Sequence, residues 1–318
     1  MKPRLLHLDE NHPLLIENLR QEGFECEEDY YSSKTEIEKR IANYEGIILR
    51  SHFRIDKEFL QAGKKLKFIA RVGSGLENID TAFAYKKGIV LLHAPEGNCD
   101  AVGEHALGML LCLMHRIIQS DRQIHQGKWM REANRGVELS RKTIAIIGYG
   151  HTGKAFARRL SSLKTKTLCY DILEGIGDTY ARQTSWEEIF QLADVLSLHV
   201  PLTELTKNII NHETIQKFKK SFYLINTARG DCLSIEALTD SLKSGKILGA
   251  GLDVLPYEKS SFESLFEEQL SDDFHYLCHS EKVVLTPHIA GWSQESKYKL
   301  ARCIFDKIIC LYKAGKKI

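Results

Sequence analysis

Three segments of the 318-residue sequence combine residue types that can do chemistry: Asn226-Thr-Ala-Arg-Gly230, Asp253-Val-Leu-Pro-Tyr-Glu258 and Thr286-Pro-His-Ile-Ala-Gly291. Each follows a short apolar run that reads as a β-strand, and open α/β sheets bind ligands beyond their strand C-termini. An Arg, a Glu and a His gathered there suit one reaction class. Hydride addition to a carbonyl leaves an alkoxide, which needs a proton donor. His288 can give that proton, and in the oxidation direction it can act as base. Glu258 would orient the imidazole and balance its charge. Arg229 can grip a carboxylate through two parallel bonds and polarise the carbonyl. Arg229, Glu258 and His288 are therefore the expected catalytic set.

A hydride needs a carrier, and the sequence offers a place for one. The apolar run Thr143–Ile147 leads into Gly148-Tyr-Gly150-His151-Thr152-Gly153, after which an amphipathic helix follows. The first glycine permits a tight turn, the second lets backbone approach a pyrophosphate, and the third lets helix pack on strand. The pyrophosphate would lie on free N–H groups at a positive helix end. The next strand, Lys166–Tyr170, ends in Asp171. A carboxylate there accepts both ribose hydroxyls and repels a 2′-phosphate, which favours NAD over NADP. No metal is expected. His275 and His279, four residues apart on a helix, lack a third ligand at suitable spacing.

The elements that would position these groups fall into two alternating series. In the first hundred residues, apolar runs at Leu5–Leu8, Gly46–Leu49, Lys67–Ala70 and Ile89–Leu92 alternate with helical stretches at Pro13–Gln21, Thr35–Ala42 and Ile79–Lys86. Ala101–Ile118 reads as one long apolar connecting helix. A second series follows, with strands at Thr143–Ile147, Lys166–Tyr170, Val195–Leu198, Phe222–Ile225, Leu248–Leu252 and Val283–Leu285. Asn211 and Ser234 are placed as helix N-caps and Gly245 as a helix stop. Strands spaced by helices argue for parallel crossover units. The expected fold is α/β, with two doubly wound parallel-sheet domains. A Rossmann cofactor domain, residues 99–288, is inserted in a smaller flavodoxin-like substrate domain, residues 1–98 and 289–318. The helical pattern after Gly291 returns to the smaller domain.

Lys+Arg total 44 against Asp+Glu 42, so no bulk charge draws the chain to nucleic acid or an anionic membrane surface. The N-terminus reads as a first strand rather than a signal peptide, and no apolar run has the length of a membrane span. Eight scattered cysteines without a CxxC pair read as reduced thiols. The expected compartment is the cytoplasm.

Beyond these readings, the chain resembles the D-isomer-specific 2-hydroxyacid dehydrogenases, and within them the phosphoglycerate dehydrogenases. The likeness rests on LRS at 49–51, RVGSGLENID at 71–80, APEGN at 94–98, VGEHALGMLL at 102–111, IIGYGHTG at 146–153, SLHVPLT at 197–203, NTARG at 226–230, GLDVLPYE at 251–258 and TPHIAG at 286–291. The resemblance implies that Arg229, Glu258 and His288 are catalytic. It implies that His199, Pro201 and Thr206 wall the adenosine and pyrophosphate, that Thr227 and Ala228 lie beside the cofactor, and that Asp253 meets the nicotinamide amide. It gives the backbone of Val72, Gly73, Ser74 and Gly75, with Asn98, to the substrate carboxylate side, and Arg50 and Ser51 to a substrate phosphate. Lys128, Arg131 or Arg135 could add charge from a neighbouring region or subunit. The implied partners are a small 2-hydroxy or 2-keto acid and a second copy of the chain, docked through the cofactor domain.

D-3-phosphoglycerate and 3-phosphohydroxypyruvate are the expected substrate pair. A glyoxylate or hydroxypyruvate reductase is the alternative, and an NAD-sensing corepressor the reading from another class. The chain departs from the family's pattern at Lys259, where a Pro is usual, at Arg141, where a Gly is common, and in the acidic segment Lys259–Lys282 with its apolar pattern Phe262, Leu265, Phe266, Leu270. It ends at Ile318, short of a C-terminal serine-sensing domain, so serine control is not expected.

Overall fold

A computed structural model describes residues 2–258 and 271–315. They divide into two compact units, residues 2–98 with 292–315, and residues 99–258 with 271–291. The pattern expected at Phe262, Leu265, Phe266 and Leu270 lies outside the described residues.

The smaller unit carries five strands: β1 (Arg4–His7), β2 (Glu25–Glu28), β3 (Gly46–Leu49), β4 (Phe68–Arg71) and β5 (Val90–Leu92). They form one parallel sheet in the order β2-β1-β3-β4-β5. This is the doubly wound order whose switch point lies between β1 and β3. The four inner residues of β3 and of β4 are all buried, as strands covered on both faces require. Helix Gln294–Gly315 packs on helix Leu14–Gln21, and Leu15, Leu19, Ala301, Ile304 and Ile308 share one core cluster.

Sequence reading missed β2, and the reason is physical. Glu-Cys-Glu-Glu has no apolar signature because it is an edge strand, and charged side chains protect an edge. Its acids are neutralised by basic neighbours. Arg4 binds Glu25 at 3.0 Å and Glu27 at 3.2 Å, and Arg20 binds Glu28 at 2.9 Å.

The larger unit holds β6 (Thr143–Ile147), β7 (Lys166–Tyr170), β8 (Arg182–Gln183), β9 (Val195–Leu198), β10 (Phe222–Asn226), β11 (Ile247–Leu252) and β12 (Val283–Leu285). They form a parallel sheet in the order β12-β11-β10-β9-β6-β7-β8. The two-residue β8 is too short to leave a periodic signal. The expected caps are formed: Asn211 accepts from the Thr214 N–H and Ser234 from the Ala237 N–H.

The long helix expected over Ala101–Ile118 is two helices. Cys99–Met114 ends at His115–Arg116, and Ile117–His125 leaves at 61°. Arg116 takes a left-handed φ of 54°. The chain returns at Val137, whose N–H bonds to the Met114 carbonyl at 2.8 Å and takes the acceptor that a continuing helix would use. Nothing in an unbroken apolar run signals this break, because the competing donor is 23 residues away. The first helix buries eight residues in the core, including Val102, Ala106 and Leu110. No single helix among the described residues is long and apolar enough to cross a membrane.

Candidate active site

Strand register explains why distant segments of the larger unit meet. Tyr170, Ile147, Leu198, Asn226, Leu252 and Leu285 are successive register partners across six strands. The turns that follow these residues therefore start side by side on one sheet edge. Each of the segments singled out above in this unit begins within a few residues of that line.

At the β6/β9 switch point the glycine turn has the shape that a dinucleotide requires. Gly148 has φ of 89°, and a Cβ there would lie 2.6 Å from the His199 carbonyl oxygen. A Cβ at Gly153 would lie 2.2 Å from the Gly148 oxygen, so helix His151–Leu160 could not pack on the turn. Around Gly150 a Cβ meets nothing within 4 Å, which leaves backbone open to a ligand. His151 and Thr152 open the helix at this point. Asp171 closes the turn: its Oδ2 accepts from the Tyr149 N–H at 2.8 Å and its Oδ1 from the Leu173 N–H at 3.1 Å. Tyr149 is buried below, with its hydroxyl donating to Asp178 at 2.7 Å.

His199 directly follows β9. Its ring is buried beneath the turn, stacked on Phe156 at 5.4 Å and 2.9 Å from the Ser197 hydroxyl through Nε2. Burial holds its pKa down at about 3, so the ring is neutral. The His199 backbone carbonyl, not the ring, is what packs on Gly148. Thr206 folds the loop after β9 by donating to the Pro201 carbonyl at 2.6 Å. Ala228 is buried, and the Thr227 hydroxyl is buried with no hydrogen-bond partner among the described residues. An open glycine backbone, a carboxylate at the next strand end and a buried hydroxyl that still needs a partner fit a bound dinucleotide.

The β10–β12 end carries the expected catalytic residues. Asn226, wholly buried, closes the Arg229 turn. Its Oδ1 accepts from the Ala228 N–H at 3.0 Å and its Nδ2 donates to the Arg229 carbonyl at 3.0 Å. The Arg229 guanidinium donates to the Ala228 carbonyl at 2.6 Å. Gly230 then packs against the next segment so closely that a Cβ would sit 2.1 Å from the Leu255 carbonyl carbon. That contact locks the Arg229 turn to the segment bearing Glu258. Glu258 is fixed in turn by the Leu255 N–H at 2.6 Å, and its other oxygen lies 2.6 Å from His288 Nδ1.

His288 has φ of 54°, a conformation uncommon for a side chain of this size. It is held there by its N–H, shared between the carbonyls of Asp253 at 2.8 Å and Thr286 at 3.1 Å. The carboxylate of Asp253, expected beside the nicotinamide amide, is 1% exposed and braces the His288 turn. It accepts from the Thr286 hydroxyl at 2.5 Å and from the N–H groups of Ile289 and Ala290 at 2.9 and 2.8 Å. His105, unnoticed in the sequence, lies 3.0 Å from the Thr286 hydroxyl and 3.5 Å from Asp253. His275 and His279 share a helix turn, where His279 Nδ1 contacts the His275 carbonyl at 2.7 Å. No cluster of three metal-ligating side chains occurs among the described residues.

In the smaller unit, Asp9 follows β1 and takes the N–H groups of Arg50, Ser51 and His52 at 2.6, 3.2 and 3.3 Å. Arg71, nearly buried, ties two loops together. Its Nε donates to the Arg50 carbonyl at 3.0 Å and its Nη1 to the Gly75 carbonyl at 2.6 Å. In the loop expected on the carboxylate side, two amides already have acceptors. The Val72 N–H is taken by the Leu49 carbonyl at 2.8 Å and that of Gly73 by the Arg71 carbonyl at 2.9 Å. Ser74 and Gly75 are the remaining amide donors of the loop. Ser74 donates its hydroxyl to Asn98 Oδ1 at 2.7 Å, which fixes Asn98 at the loop.

A parallel sheet with a glycine turn at its switch point, an acid at the next strand end and an Arg-Glu-His group along the same edge defines a dinucleotide-dependent oxidoreductase. Residues 107–290 match the NAD binding domain of the D-isomer specific 2-hydroxyacid dehydrogenases. The chain belongs to that family of NAD-dependent oxidoreductases. It is 36% identical to a hydroxypyruvate reductase of Thermotoga maritima, over 86% of this chain and 87% of that protein. It is 34% identical to a D-3-phosphoglycerate dehydrogenase of Archaeoglobus fulgidus, over 94% of this chain but only 55% of the longer relative. The chain thus spans about half the length of that relative. The crystal structure of a D-lactate dehydrogenase from Aquifex aeolicus with NAD and lactic acid superposes with a TM-score of 0.82 at 26% identity, covering 99% of this chain and 96% of that one.

Proposed function

We propose that the chain interconverts D-3-phosphoglycerate and 3-phosphohydroxypyruvate, with Arg229, Glu258 and His288 as its catalytic residues. The observation that carries the reading is the 2.6 Å contact between His288 Nδ1 and Glu258 on the sheet edge that also bears the glycine turn. With Nδ1–H donated to Glu258, the proton that moves is carried on Nε2. Bound NAD supplies or takes up the hydride. In reduction, the carbonyl π pair withdraws to oxygen as C2 gains its fourth bond, and His288 Nε2 gives that oxygen its proton. The Glu258 carboxylate, held by the Leu255 N–H, keeps the ring aligned through the step. Arg229 offers two N–H donors to the substrate carboxylate and raises the polarity of the carbonyl.

Arg50 is assigned to the substrate phosphate. It follows β3 at the switch point of the smaller sheet, where ligands of this fold lie. Loop amides at Ser74 and Gly75, beyond the neighbouring strand β4, are assigned to the carboxylate side. A second copy of the chain is assigned to the face carrying Ile117, Ile124, Trp129 and Met130, large apolar residues that are 48–78% exposed.

The test is NADH oxidation with 3-phosphohydroxypyruvate, hydroxypyruvate and glyoxylate. The proposal requires the highest kcat/KM with the phosphorylated acid. A preference for hydroxypyruvate would reject the phosphoglycerate assignment and favour the chemistry named for the Thermotoga relative.

A further inference from the structure

We propose that the larger unit carries a second anion site, away from the catalytic edge, which takes a small ligand bearing two or more negative charges on phosphate-type oxygens. A cavity of about 350 Å³ opens at the far edge of the seven-stranded sheet, a volume suited to a small molecule. Tyr223, Leu248 and Val283 line it from the first residues of β10, β11 and β12. Arg229, Glu258 and His288 follow the opposite ends of the same three strands. The other wall is helix Ile117–His125, through Ile118, Gln119, Arg122 and Gln123. These positions share one side of the helix, and Ile117 and Ile124 fall on the other.

The lining is strongly cationic. Arg116, Arg122, Lys128, Arg135 and Lys282 contribute to it against one carboxylate, Glu281. That carboxylate accepts from the Gln119 side chain at 2.7 Å rather than from a cation. Arg135 is paired with Glu132 at 2.8 Å, and Lys282 donates to the Leu242 carbonyl at 2.8 Å. Arg116, Arg122 and Lys128 make no side-chain hydrogen bond or ion pair with any described residue. Three cations without acids call for more than one negative charge.

Arg116 points to the ligand most directly. Its Nε is buried with no hydrogen-bond partner among the described residues. A buried donor without a partner is costly, and a charge withdrawn from water needs a counter-charge. The residue also holds a left-handed φ of 54° at the bend between two helices, a conformation that asparagine or glycine takes more readily. An unmatched cation held in strained backbone is a combination that functional sites show. Its charge reaches the Tyr223 hydroxyl, where burial pushes the pKa up and Arg116 opposes the push. Two guanidinium forks on one cavity suit tetrahedral oxyanions, which accept parallel N–H bonds. Helix Ile117–His125 starts without a side-chain cap, which adds amide donors that have no helical partner.

The test is calorimetric titration of the NADH-saturated protein with inorganic pyrophosphate at constant ionic strength, so that the glycine turn is already occupied. The wild type should bind one pyrophosphate per chain, about tenfold or more tighter than chloride. Two variants are compared, Arg122→Gln and Arg116→Asn, the second chosen because asparagine accepts the left-handed φ. Each should raise the pyrophosphate Kd about tenfold, the scale of one charge-assisted hydrogen bond. In each, kcat for NADH oxidation without pyrophosphate should stay within about twofold of wild type, and circular dichroism checks that the fold is kept. An unchanged Kd in either variant, or no saturable binding by the wild type, overturns the inference. Binding no tighter than that of chloride would make the cavity an adventitious ion site only and also overturns it. So does binding that appears only when the protein is diluted to monomer, since a second copy of the chain would then supply the missing negative charge.

Discussion

Gly230→Ala perturbs the joint between the segments bearing the proposed catalytic residues Arg229 and Glu258 without touching either side chain. A Cβ at Gly230 would stand 2.1 Å from the Leu255 carbonyl carbon and 2.3 Å from the Pro256 nitrogen. Both are backbone atoms, so no side chain can swing aside. Ordinary contact begins near 3.4 Å, and the Arg229 turn must therefore separate from the Leu255–Glu258 segment by about 1.3 Å. Overpacking of this kind costs about 1–3 kcal/mol of stability. A misplacement of about 1 Å in a reacting group costs roughly a hundredfold in rate. The expected result is a kcat about a hundredfold lower in NADH oxidation, with the NADH Kd within about twofold of wild type, because the glycine turn at Gly148 lies on other strands. Urea unfolding followed by circular dichroism would check that the variant is folded under assay conditions. A folded Gly230→Ala protein with near-normal kcat would refute the idea that this contact sets the Arg229–Glu258 geometry.

Three further outcomes follow from the same structure. Asp171→Ala should lower the preference for NADH over NADPH by about tenfold or more, because a carboxylate at the ribose repels a 2′-phosphate; equal use of the two cofactors by the unmodified protein would contradict that role. Asn226→Ala removes both bonds that close the Arg229 turn and should cost about 2–3 kcal/mol in urea unfolding while lowering kcat, whereas unchanged stability would show that the turn closes without it. Stability should also fall with acid. Burial holds His7 down at about 4 and His199 at about 3, while the unfolded chain titrates near 6.5. Below pH 6.5 the unfolded state takes up protons that the folded state refuses, so stability is complete above that pH and declines as pH falls toward the two folded values. Between pH 7 and pH 5 the loss should be about 4 kcal/mol for the pair. The double variant His7→Gln/His199→Gln should flatten this slope, and an unchanged slope would assign the acid lability elsewhere.

Much of the fold was legible because parallel strands buried on both faces leave short apolar runs, as at Gly46–Leu49 and Val195–Leu198. The edge strand Glu25–Glu28 was not legible, since edge protection replaces apolar residues with acids. The bend at Arg116 depends on a carbonyl captured from Val137, a contact no local window contains. At the site, the glycine turn, Asp171 and the His288–Glu258 pair could be read from residue type and spacing. The supporting residues could not. Asn226 and Asp253 sit within legible motifs, yet their work is to hold backbone turns, which becomes visible only once the turns have coordinates. The resemblance set Asp253 beside the nicotinamide amide; its bracing of the Thr286, Ile289 and Ala290 turn had no sequence signal.

The most direct measurement of the central claim is single-turnover reduction of 3-phosphohydroxypyruvate by NADH with wild type and His288→Gln, at matched cofactor saturation. If His288 delivers the proton from Nε2 while Glu258 holds Nδ1, the variant should turn over about 10²–10⁴ times more slowly with its NADH Kd nearly unchanged. A His288→Gln protein that reduces the keto acid within a few fold of the wild-type rate would contradict the account.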